Sequence, residues 1–154
     1  MPKKTNHGVM EEVLVKNILF LVFFIPFKWG NAAEKETFQQ ARFQIQTGDF
    51  ESGRKGMAEV LQKNPKGTYA SRASFMLAKA YLGLGKTEEA QENFKKTISN
   101  FPGTEEAQKA AFKLVWISYL LEGKNKSLEL ARQLMVNGEN PYRPELEYLK
   151  RYAK

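Results

Sequence analysis

The feature that most constrains this chain is a recurrence. Phe38, Phe75 and Phe112 stand 37 residues apart, within KETFQQAR, RASFMLAK and KAAFKLVW. Gly48, Gly85 and Gly123 recur with nearly the same spacing, and so do Pro65, Pro102 and Pro141. Between these marks apolar residues return every three or four positions, as in Leu77, Ala78, Tyr81 and in Ala90, Phe94, Ile98. That is the period of amphipathic helices; no stretch after Glu34 alternates as a strand would. Each glycine permits a tight turn after one helix, and each proline stops the next, since it lacks a backbone donor and clashes with the preceding turn. Thr68 and Thr104 are predicted N-caps. Glu88 and Glu89 suit the first turn of a helix begun near Thr87.

Helix, turn, helix, loop at a fixed period describes a stacked array, because one such pair cannot bury its apolar face alone. The predicted fold is all-α, with about three helix pairs at 34–67, 68–103 and 104–141. A capping helix follows at 144–154. There Pro144 fits the first turn, Glu145 and Glu147 lie early, and Lys150, Arg151 and Lys154 lie late. Leu146 and Leu149 would pack back onto the array.

Leu77, Ala78, Tyr81, Gly85, Ala90, Phe94 and Pro102 resemble the packing positions of tetratricopeptide repeats. In the first pair Ala41, Gly48, Gly53, Met57 and Pro65 are similar, with Gln40 and Gln44 where apolar residues are usual. The third pair has an extra residue before Gly123, which leaves its later register open. The resemblance implies a right-handed superhelical solenoid. The long period, with NPKGTYASRASF and NFPGTEEAQKAAF at the junctions, resembles the exported Tol–Pal-associated and outer-membrane-assembly tetratricopeptide proteins of Gram-negative envelopes. The chain lacks the coiled-coil N-terminal part of the first group and the lipid-carrying cysteine of the second.

Lys3, Lys4 and Lys16 precede the apolar run ILFLVFFIPF over 18–27. Ten helical residues cross about 15 Å, half of a hydrocarbon core. The run fits a signal-peptide core over 1–33, with cleavage after Ala32 or Ala33. The chain is then expected to be exported and periplasmic, with no membrane span left after cleavage. An uncleaved inner-membrane anchor and a buried N-terminal helix stay open, as does a start at Met10.

There is no cysteine, so disulfide, thiolate and thioether-lipid chemistry are excluded. The one histidine, His7, would leave with the leader. Nucleophilic triads and His/Cys metal sites then lack their residues, and neither an enzyme activity nor a cofactor is expected. Glu88-Glu89 and Glu105-Glu106 are sequence neighbours, which diverge on a helix and do not pair as acid and base. GLGK over 83–86 follows no strand, unlike a phosphate-binding loop.

The net charge of +7 favours anionic partners. Residues at i, i+3 and i+7 share a helix face. Lys35, Phe38 and Arg42 form one such stripe, Arg72, Phe75 and Lys79 the next, and Lys109, Phe112 and Trp116 the third, with Lys113 beside it. The resemblance implies that these first helices line a concave groove. The expected ligand is a protein or peptide with acidic and apolar residues; nucleic acid conflicts with export. Two alternatives remain open: a structural or homo-oligomerising module, and a membrane-tethered adaptor that keeps its leader.

Overall fold

A computed structural model describes residues 32–135 and Arg151. The leader over 1–31, Pro141 and most of the cap at 144–154 lie outside these residues. Among those described there are six helices and no strand: α1 at 32–47, α2 at Phe50–Lys63, α3 at Ala70–Gly83, α4 at Thr87–Asn100, α5 at Glu105–Glu122 and α6 at Lys124–Met135. Thr37–Lys154 is one compact unit and residues 1–36 are a separate one.

Turns fall at the recurring glycines. Gly48, Gly85 and Gly123 have φ of 92°, 72° and 87°, a region that costs glycine little and other residues much. After the first turn the Asp49 carboxylate accepts from the Ser52 amide at 3.2 Å, capping α2. Thr104 Oγ1 caps α5 in the same way, accepting from the Ala107 amide at 3.2 Å. Thr68 does not cap α3, which corrects the expectation. Tyr69 takes the cap position without a side-chain bond. Its ring stacks on Phe38 at 4.8 Å. The Gly67 amide donates to Asn64 and the Ala70 amide to Gly67, both at 3.0 Å, so backbone hydrogen bonds lead into α3.

The second helix of each pair buries one stripe: Gly53, Met57 and Val60 on α2, and Ala90, Phe94 and Thr97 on α4. On α6 Ser127 and Ala131 are buried, and Leu134 packs partly buried beside them. All three sets are 37 residues apart, so the extra residue does not shift α6. It is absorbed in the turn, because α6 starts directly after Gly123, whereas Lys86 stands between Gly85 and α4. Within the first pair Gly53 lies so close to α1 that a methyl there would run into Ile45 and stand 3.0 Å from the Ala41 carbonyl oxygen.

Three core clusters run along the array. The first joins Phe38, Ala41, Ile45, Met57 and Val60 to Ala73 and Ala80 of α3. The second joins Ala78, Ala90 and Phe94 to Ala110, Leu114 and Ile117 of α5. The third holds Val115 and Ala131, with Phe112, Leu130 and Leu134 packed on them. The first helices α3 and α5 therefore face their own partner helix and the pair before them. Being flanked on both sides, α3 buries four alanines at 70, 73, 78 and 80. Leu77 packs toward the first pair. Its counterpart one period earlier, Gln40, is exposed on the first helix of the array, where a polar residue costs nothing.

Candidate binding surface

The packing leaves one face of each first helix in solvent. On α1 it carries Lys35, Gln39, Arg42 and Gln46, all exposed. On α3 it carries exposed Arg72 and Lys79, with half-buried Met76 between them. On α5 it carries half-buried Lys109 and Lys113, then exposed Trp116 and Leu120. In register these read Lys35, Arg72, Lys109; Gln39, Met76, Lys113; Arg42, Lys79, Trp116; and Gln46, Gly83, Leu120. None of these positions is acidic, and the character passes from cationic toward aromatic and aliphatic along α5.

The phenylalanines belong elsewhere. Phe38 is 4% exposed and packs in the first core cluster, so of the two roles open to the phenylalanines, packing and groove lining, it fills the first. Phe75 packs tilted on Phe94 of α4, with ring centroids 5.6 Å apart, and Phe112 packs on the third cluster. Phe75 and Phe112 turn toward the second helix of their own pair, and Phe38 stacks on Tyr69 ahead of α3. A phenylalanine at i and a cation at i+4 lie about 40° apart around a helix, and here the edge of the core falls between them.

Two acidic residues at the start of α5 hold the cations in place. Arg72 Nε lies 3.6 Å from Glu106 Oε1, and Ser71 Oγ donates to Glu106 Oε2 at 3.3 Å. Glu106 is thereby tied to α3, which also touches α5 along the array. Lys109 Nζ lies 2.5 Å from Glu105 Oε1, and its hydrogen bond holds the Glu105 carboxyl below the usual range. Both glutamates also lie in the first turn of α5, where the helix dipole favours negative charge.

Trp116 is 41% exposed, its ring 5.9 Å from that of Tyr119, and Leu120 and Leu121 are 64% and 60% exposed. Sequence reasoning missed both leucines, although the 37-residue register from Gln46 leads to Leu120. Among the described residues no cluster of His, Cys, Asp or Glu could hold a metal ion. No described helix is long and apolar enough to cross a membrane.

Helix pairs stacked at a fixed period, with a small residue at 53, 90 and 127 on each second helix, define a tetratricopeptide-like solenoid. A family model described as YfiO, outer membrane lipoprotein, matches residues 31–148, and the chain belongs to that outer-membrane-assembly family. None of the curated proteins searched matches it. With no cysteine, these 154 residues offer no thioether attachment point for a lipid.

Proposed function

We propose that this chain is a non-catalytic periplasmic interaction module that holds a segment of an envelope protein on the exposed face of α1, α3 and α5. The observation that carries the reading is the run of cations at 35, 42, 72, 79, 109 and 113, unbroken by an acidic residue within its own register. Such a face steers an acidic segment and raises its association rate more than its affinity. Trp116 and Leu120 supply apolar anchorage at the other end, so an acidic stretch followed by one or two apolar residues fits best. Desolvating one large side chain contributes about 1.5–3 kcal/mol.

The test uses a fluorescent peptide with a Glu/Asp-rich half and a Leu/Phe half, titrated by anisotropy. Arg72→Glu with Lys79→Glu should weaken binding at least tenfold while the helical circular dichroism stays intact. Unchanged binding would discard the reading. Exposed Leu120 and Leu121 favour a second one, self-association. It requires a concentration-dependent dimer in sedimentation runs that Leu120→Asp disperses, and a monomer at every concentration would eliminate it.

A further inference from the structure

The second and third pairs differ at one place, and a cleft opens there. In the second pair Tyr81 of α3 packs on the middle core cluster. Arg54 of α2 lies over its ring, 5.8 Å from the centroid, and is held by Glu51 at 2.6 Å. One period later the tyrosine becomes Ser118 and the arginine becomes Gln91. Neither replacement fills the space of its counterpart. An open cleft of about 250 Å³ lies between α4, α5 and α6, lined among others by Gln91, Leu114, Ser118, Glu122 and Leu130. Ser118 is 2% exposed, and its hydroxyl donates to Glu122 Oε2 at 2.9 Å.

We propose that this cleft is a side-chain pocket that receives a tyrosine of a partner polypeptide. The array itself shows what fits such a place, since one repeat earlier it holds a phenol ring beneath a cation. Leu114 and Leu130 offer apolar surface to a ring. Glu122 lines the cleft and uses one carboxylate oxygen for Ser118, which leaves the other to accept a hydrogen bond from a phenol. Lys95 and Lys126 also line the cleft, beside Glu129 and Gln133, and bring cations to its wall as Arg54 brings one to Tyr81. Polar and charged residues make up most of the wall around the two leucines, so the cleft selects by the hydrogen bond that only the right ligand completes. Ser118 and Trp116 are two positions apart on α5, hence on opposite sides of the helix. The pocket is therefore separate from the cationic face.

The experiment is a titration of the ¹⁵N-labelled protein with N-acetyl-tyrosinamide, and with its phenylalanine and leucine analogues. Saturable amide shifts are expected around Gln91, Ser118 and Leu130, at least threefold tighter for tyrosine than for phenylalanine. Ser118→Tyr with Gln91→Arg rebuilds the earlier arrangement; it should fill the cleft, keep the helical spectrum and abolish the shifts. Glu122→Ala, with its helical spectrum checked because it also removes the partner of Ser118, should erase the preference for tyrosine over phenylalanine. Arg72→Glu with Lys79→Glu should leave the shifts unchanged. Absence of saturable shifts in the native chain, equal response to all three probes, or binding retained by the filled variant would each overturn the proposal.

Discussion

Ser74 and Thr97 are buried to 7% and 0% exposure, and their hydroxyl oxygens lie 2.8 Å apart across α3 and α4. Thr97 gives its single hydrogen to the Asn93 carbonyl at 2.9 Å, so Ser74 is the donor between them. The two ends of this bond are therefore not equivalent. Ser74→Ala leaves Thr97 donating as before and should cost about 0.5–1.5 kcal/mol. Thr97→Val strands the Ser74 hydroxyl and should cost about 1–3 kcal/mol, part of which the double variant recovers. Urea unfolding of the three variants checks the order; equal losses would place the donor wrongly. The neighbouring Arg54–Tyr81 contact links the first pair to the second by the face of a ring, where lysine could not keep both the fork to Glu51 and the stacking.

At the scale of an element, the contact of α1 with α2 depends on what Gly53 lacks. Alanine is the better helix former by about 1 kcal/mol. Its methyl would nevertheless press on β-branched Ile45 and on the backbone of Ala41, neither of which yields easily. Gly53→Ala should therefore destabilise, within the ~1–3 kcal/mol of an overpacked core, measured as a lowered urea midpoint. A raised midpoint would mean that α1 and α2 can part. The caps give a second test. Thr104→Ala should cost about 0.5–2 kcal/mol through the lost bond to Ala107, whereas Thr68→Ala should cost almost nothing. The hydroxyl at 104 is legible as a cap from its place after Pro102 and Gly103. The one at 68 reads the same way, but a stacked pair of rings two elements apart fixes Tyr69 instead.

Over the described residues the core is a chain of clusters, the first two shared between neighbouring pairs and the third within the last pair, so stability should be local. Phe94 is fully buried in the middle cluster, and Phe94→Ala should cost about 3–5 kcal/mol and raise hydrogen exchange on both sides of it. Met57→Ala in the first cluster should raise exchange in α1 and α2 and spare α5. Uniform loss of protection would show a single cooperative unit instead. Acid should weaken the fold through its carboxylates. Hydrogen bonds from Arg54, Lys96 and Lys109 hold Glu51, Glu92 and Glu105 below their ordinary value of 4.5. A lowered folded-state pKa contributes stability above that value and loses it as pH falls through the folded one. Thermal melts should therefore be flat from pH 7 to about 5 and decline below 4.5. The decline should be shallow, because exposed pairs are screened by water. A steep loss above pH 5 would contradict this.

By itself the sequence determined that the chain is helical, where its turns fall and that its units repeat. Period, glycine and proline are local properties, governed by the backbone of a few residues. Which side of each first helix meets which neighbour was set by the packing of helices distant in the chain. The stripe through Phe38, Ala41 and Ile45 lies a fraction of a turn from the one through Lys35 and Arg42, and periodicity cannot tell which one a partner helix will cover. Packing turned the phenylalanines inward and left the cations outside. It tied Arg72 to Glu106, from a helix one pair away. It also opened a cleft where Ser118 and Gln91 stand in place of Tyr81 and Arg54. These are relations between residues distant in the chain, set by how helices fill the space between them.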